Sequence, residues 1–151
     1  MTIRENLSES LKIALKSKDQ VTMATVRLIN AAIKDRDIAA RGNGKDMISD
    51  DEILSMMQTM IKQRKESTKT YADANRPELA EREEAEIVVI EGFLPKQMDD
   101  GEIASVVEAL ITETGAESIK DMGKVMGQLK SKYAGQLDMS KAGAVVKEKL
   151  G

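Results

Sequence analysis

Cysteine, histidine and tryptophan are absent from the 151 residues, and the aromatic side chains are three: Tyr71, Phe93 and Tyr133. Without cysteine the chain has no disulfide and no thiolate for a metal or a nucleophile. Without histidine it lacks the commonest general base near neutral pH. Neither G-x-x-x-x-G-K-[ST] nor G-x-S-x-G occurs, so a phosphate cradle for ATP-dependent activation and a nucleophile elbow are both missing. The Ser-Lys pairs Ser17-Lys18, Ser131-Lys132 and Ser140-Lys141 fall at helix ends, where capping and the helix dipole account for them. The expectation is a chain with no catalytic residue, no cofactor and no metal, and with no independent catalysis. No apolar stretch approaches the length that spans a bilayer, and the N-terminus runs into a charged amphipathic helix in place of an apolar signal core. A cytoplasmic protein without membrane contact is expected.

What is present favours helix. Ala, Leu, Lys, Glu and Met are abundant, and two prolines and few aromatics give strands little to build on. The formal net charge is -3, which excludes a uniformly basic nucleic-acid-binding protein. The distribution says more than the sum. Between Asp99 and Glu117 there are six acids and no Lys or Arg, whereas Lys120 to Gly151 holds seven lysines against three acids. Either one face of the C-terminal half is basic, or the two segments neutralise each other as packed neighbours.

Taken in order, Thr2 with Glu5 makes a capping box, and Ile3, Leu7, Leu11, Ala14 and Leu15 give a helix ending near Ser17. Asp19 caps a second helix, whose expected core face is Val21, Ala24, Leu28, Ala31, Ala32 and Ile38; Gly42-Asn43-Gly44 stops it. Ser49 with Glu52 repeats the capping box, and Ile48 with Ile53 forms a hydrophobic staple. The third helix then carries Ile53, Met56, Met57, Met60 and Ile61 as a core stripe, its methionines read as core. Its basic end, Lys62 to Lys69, is expected to project beyond the bundle. Asn75-Arg76-Pro77 breaks the chain, and a fourth helix runs acidic first and apolar later. Its glutamates suit the positive helix end; Glu83 and Glu86 would make a poor metal pair without histidine, and Arg82 reads as a salt-bridge partner. Pro95 ends this segment and sets the domain boundary: residues 1–95 as an N-terminal helical domain of about four helices, and 96–151 as a small three-helix domain, all-α throughout. In the latter, Asp99 or Asp100 caps a helix with Ile103, Val106, Val107, Leu110 and Ile111, and Asp138 caps the last.

The helix between them is the most informative. Ser118 is expected to cap it, with Asp121 returning the bond. Met122, Val125, Met126, Leu129 and Tyr133 form one apolar stripe, while Gly123 and Gly127 lie outside it, flanked by Lys130 on one side and Lys120 and Lys124 on the other. Two interior glycines cost about 1 kcal/mol each relative to alanine, so something needs bare backbone there. A closely packed second helix would account for them; so would a phosphate backbone lying on the strip with lysines as point charges.

The run Arg76 to Gln97, R-P-E-L-A-E-R-E-E-A-E-I-V-V-I-E-G-F-L-P-K-Q, with K-D-M-G-K-V-M-G from Lys120, R-L-I-N-A-A-I-K from Arg27 and I-K-Q-R-K-E-S from Ile61, resembles the YqeY-like family over the whole chain. The resemblance implies a helical N-terminal domain followed by three helices similar to the tail domain of the GatB subunit of tRNA-dependent amidotransferase. That enzyme is a glutamine-dependent carbon-nitrogen ligase acting on misacylated tRNA. The tail pattern is met by Gly123, Gly127 and Lys130, and later by Gly135 and Asp138; the loop Tyr133 to Leu137 is poorer in glycine and basic residues than that tail. Two functions are therefore expected in competition. One is a tRNA-associated accessory module in which Lys120, Gly123, Lys124, Gly127, Lys130 and Lys132 meet the RNA backbone, with an amidotransferase or aminoacyl-tRNA synthetase component as a further partner. The other is a helical protein-interaction adaptor without nucleic-acid binding.

Overall fold

Helix starts are fixed by side chains that take up otherwise unpaired backbone N–H groups. In the computed structural model, which describes residues 2–151, Thr2 accepts from the Glu5 N–H and Glu5 returns the bond, opening α1 (Ile3–Ser17). Asp19 accepts from the Thr22 N–H at the start of α2 (Gln20–Gly42), Ser49 and Glu52 form a second reciprocal pair at α3 (Asp50–Asp73), and Pro77 occupies the first turn of α4 (Pro77–Glu91). Asp99 with Glu102 opens α5 (Asp100–Thr114). A 3-10 turn, Ile119–Asp121, leads into α6 (Met122–Lys132), and Asp138 caps α7 (Met139–Leu150). Among the described residues the fold is all-helical, with four α-helices before Pro95 and three after it. The chain divides between Leu94 and Pro95 into two units, each with its own core.

In the first unit the core is built from Leu7 of α1, Val26, Ile29 and Ile33 of α2, Ile53, Met56, Met57 and Ile61 of α3, and Ile87 and Ile90 of α4. Each such side chain contributes roughly 1.5–3 kcal/mol by leaving water. Met56 and Met57 of α3 are core and Met60 packs against it partly buried, and the staple pair Ile48 and Ile53 is buried. The face of α2 differs from expectation. Val21, Leu28 and Ile38 are exposed, and the buried stripe is Met23, Val26, Ile29, Ile33 and Ala40. This helix is apolar on two opposite sides, so its periodicity admits two solutions. The structure buries the side with the larger consecutive side chains and leaves the alanine-rich one outside. Leu15 of α1 is likewise exposed.

The basic end of α3 does not stand clear of the bundle. Arg64 Nε donates to Glu86 Oε2 at 2.8 Å, with Glu83 at 3.8 Å, joining α3 to α4; Arg82 reaches the other oxygen of Glu86 at 3.7 Å. A guanidinium carries its charge on a planar fork that holds carboxylates well, so the helix is drawn in where lysines alone would leave it solvated. Lys62, Lys65 and Lys69 remain exposed.

One polar knot ties three elements. Arg4 of α1 donates from both terminal nitrogens to Asp37 of α2 at 2.9 Å each, and again to the Ile48 carbonyl at 3.1 Å. Asp37 also accepts from the Ile48 N–H at 2.9 Å, just before α3. These bonds, the Arg4 guanidinium first, hold the Asp37 carboxyl at about 2.

In the second unit Ile103, Val107 and Leu110 of α5 meet Val125 and Leu129 of α6 and Ala142 and Val146 of α7, with Leu137 from the intervening loop. That loop is braced: Gln97 donates to the Gly135 carbonyl, and the Met98 N–H donates to the Gln136 carbonyl at 2.7 Å. Gly135 is buried at φ 75, a conformation that favours glycine.

A carboxyl with a depressed pKa stabilises the fold while ionised and loses that contribution as pH falls from its ordinary value toward the folded one. Asp37→Asn is therefore expected to unfold at lower temperature than the native chain at pH 7. The difference should shrink between about pH 4 and about pH 2. Circular-dichroism melts across that range check it; a difference that persists unchanged to pH 2 contradicts the role given to Asp37.

Candidate functional site

α6 begins one turn later than its capping pattern suggests. Ser118 makes no side-chain cap; the Asp121 carboxylate instead accepts from the Glu117 N–H at 3.0 Å, and the Asp121 N–H donates to the Ser118 carbonyl at 2.9 Å. With Asp121 turned back toward Glu117, residues 119–121 wind as a 3-10 turn and the α-helix starts at Met122. The Glu117 N–H, then Ser118 and the nearby charge of Lys124, keep the Asp121 carboxyl below its usual range.

The apolar stripe of α6 faces the core as its spacing requires, Val125 and Leu129 fully and Met122, Met126 and Tyr133 in part. The opposite side is open. A Cβ placed on Gly123 or on Gly127 would meet nothing within 4 Å, so no packed helix accounts for these glycines. On α7, by contrast, a Cβ at Gly143 would make ordinary contact with the Met126 methyl at 3.7 Å and with that of Met122 at 3.8 Å.

The two interpretations of the uneven charge fall on different lysines. Lys132 pairs with Glu113 at 3.0 Å, Lys141 with Asp100 at 3.3 Å and Lys149 with Glu108 at 3.9 Å, so part of the basic segment does neutralise the acidic face of α5. Such exposed pairs are worth little in stability but consume the charge locally. Lys120, Lys124 and Lys130 are exposed, and their ammonium groups have no hydrogen bond or ion pair among the described residues. Gly123, Lys124, Gly127 and Lys130 share the solvent side of α6, with Lys120 on the turn before it; Lys132 points to α5. The strip thus offers bare backbone between free cations, suited to an extended polyanion. Among the described residues no group of three or more His, Cys, Asp or Glu is placed to hold a metal ion, and Glu83 and Glu86 lie within ion-pair distance of Arg64.

A second feature was not singled out by sequence reasoning. Beside the Arg4–Asp37 knot is an open cleft of about 270 Å³ lined by Asn30, Lys34 and Arg41 as well as the knot itself. The signal was present in the spacing, since residues 30, 34, 37 and 41 recur at steps of four, three and four along one line of α2.

Comparison with known proteins places the chain. The family model described as Yqey-like protein matches residues 4–150. Among curated proteins the chain is similar to altered inheritance of mitochondria protein 41, mitochondrial, of Lachancea thermotolerans. The identity there is 34% over 110 residues, covering 72% of this chain and 57% of that protein. The protein of the same name from Pyrenophora tritici-repentis is 30% identical over 137 residues, 86% of this chain and 70% of the relative. That from Saccharomyces cerevisiae is 26% identical over 129 residues, 82% and 68% respectively. The chain therefore spans little more than half the length of the first of these relatives. All three are named as mitochondrial, which overturns the expectation of a cytoplasmic protein. That expectation rested on the lack of a long apolar segment and of a signal core, and folded helices obey the same packing physics in any compartment. No helix of the described residues is long and apolar enough to cross a membrane.

Because both strip glycines have helical backbone and free space, Gly123→Ala and Gly127→Ala should each stabilise the protein by roughly 0.5–1 kcal/mol. Urea denaturation measures this. A loss of stability would mean that something the structure does not show packs on the strip.

Proposed function

The chain belongs to the Yqey-like protein family, and we propose that its second unit is a tRNA-contacting accessory module related to the GatB tail of tRNA-dependent amidotransferase. In this role the open strip of Gly123 and Gly127 admits the phosphate backbone close to α6. Lys120, Lys124 and Lys130 supply the charge, and Lys132 joins from the edge by exchanging Glu113 for a phosphate. Recognition is of backbone and shape, since three aromatic residues in the whole chain leave little for base stacking. The module performs no chemistry of its own; an amidotransferase or an aminoacyl-tRNA synthetase component working on the same tRNA is the partner that fits. The observation that supports this most is the combination of glycines with open space above them and of Lys120, Lys124 and Lys130 without a hydrogen bond or ion pair among the described residues.

A second reading concerns the first unit. The outward stripe of α2, Val21, Leu28 and Ile38, is apolar and exposed, which favours a docking role for a helical protein partner there.

Equilibrium binding of bulk tRNA across a salt series tests the first reading. Native protein should lose affinity steeply with salt, and Lys124→Glu/Lys130→Glu should weaken binding and flatten the logarithmic slope by roughly one per lysine removed. Gly123→Ala/Gly127→Ala should bind more weakly while being more stable, a pairing that general destabilisation does not produce. Absence of binding at low salt, or binding indifferent to the lysine changes, defeats the proposal and leaves the adaptor reading of α2.

A further inference from the structure

The cleft beside the Arg4–Asp37 knot holds donors that the fold itself does not use. Arg4 is spent: its two terminal nitrogens bond Asp37 and the Ile48 carbonyl, and Asp37 is satisfied by them and by the Ile48 N–H. Asp37 is thereby neutralised within the knot while staying ionised. Arg41 contributes only its Nε to the fold, donating to the Asp46 carbonyl at 3.2 Å; its charge still acts on Asp37. The terminal nitrogens of Arg41, the Lys34 ammonium and the Asn30 side-chain amide have no hydrogen-bond partner among the described residues. Three cations thus surround one carboxylate, and Asp50, at the start of α3, is the next acid to act on Arg4.

We infer that this cleft is a binding site for a phosphate group carried on a small organic body. The donors set the anion. Arg41 presents two parallel N–H groups, Lys34 a point charge and Asn30 a neutral donor, and a tetrahedral anion has oxygens for all of them where a carboxylate has two. The opening suits a dianion, which keeps part of its water and avoids the cost of full desolvation. The walls set the body: Ile33 and the exposed Ile38 line the same cleft, giving an apolar surface next to the charge for a sugar or a short carbon chain. A free phosphate monoester presents such a dianion, whereas the backbone of RNA presents monoanionic diesters with two unesterified oxygens each. The inference stands on the first unit alone and holds whether or not α6 contacts tRNA.

The test is a titration of the full chain, followed by nitrogen-15 NMR, with inorganic phosphate, with ribose 5-phosphate, and with an RNA hexamer lacking terminal phosphates. Shifts that saturate and centre on Asn30, Lys34 and Arg41 are expected, with ribose 5-phosphate tighter than inorganic phosphate. Lys34→Gln/Arg41→Gln should weaken binding about tenfold or more. Lys34→Gln alone, which removes no contact of the fold, should weaken it severalfold. If ribose 5-phosphate saturates and the hexamer does not compete, the ligand is a free monoester; a hexamer that competes for the same resonances overturns that inference in favour of backbone diesters. Shifts that rise linearly and spread over the exposed lysines, or undiminished affinity in Lys34→Gln, overturn the inference. The Lys124 and Lys130 side chains are unchanged in every arm, so failure here is separable from failure of the α6 proposal.

Discussion

The guanidinium of Arg4 is the point on which the first unit turns. It sits near the chain's beginning, binds a carboxylate thirty-three residues on and a carbonyl eleven residues further, and so fixes α1, α2 and the entry to α3 together. A largely screened bidentate pair has to satisfy nearly every polar atom it covers, or the desolvation it costs is not recovered. Here the Ile48 N–H and carbonyl complete the set. The same bonds hold the backbone of Ile48, whose side chain is buried in the same core as Ile53, so the polar knot and the hydrophobic staple meet at one residue. They also leave Asn30 and Lys34, on that line of α2, without a structural task, and Arg41 with only its bond to the Asp46 carbonyl.

Local chemistry was legible in the sequence wherever it was strong. The capping boxes at Thr2 and Ser49 and the Asp19 and Asp138 caps mark helix starts through bonds made within a few residues, and the cap left open between Asp99 and Asp100 falls to Asp99. Faces were legible only where a helix is apolar on one side. α3, α5 and α6 satisfy that condition; α2 does not, and choosing between Val21, Leu28 and Ile38 and the buried stripe requires knowing what lies opposite. The start of α6 failed for a related reason. Ser118 and Asp121 have the right spacing for a reciprocal cap, but the Glu117 N–H competes for the same carboxylate and wins.

For the candidate strip, the sequence supplied the residues and left their meaning divided. Glycines four apart are ambiguous between helix packing and an exposed backbone, because the pattern does not say which helix approaches which side. The structure faces Gly143 toward the methyl groups of Met122 and Met126 and leaves Gly123 and Gly127 uncovered. Charge shows the same division. Whether a lysine is free depends on whether an acid of α5 lies within reach, which separates Lys132, Lys141 and Lys149 from Lys120, Lys124 and Lys130. Neither distinction depends on residue type, so neither could be read from composition or spacing.

The brace between Gln97, Met98 and the loop at Gly135 and Gln136 has a consequence for where the polypeptide tolerates being severed. The segment that enters the second unit is clasped by a loop nearly forty residues downstream, ahead of the first turn of α5. A fragment beginning at Pro95 retains both halves of the clasp, whereas one trimmed to the helical boundary at Asp99 discards one half and leaves the buried Gly135 carbonyl without the donor it has in the intact chain. The natural edge of this unit is set by hydrogen bonding of an extended lead-in, several residues outside the first helix.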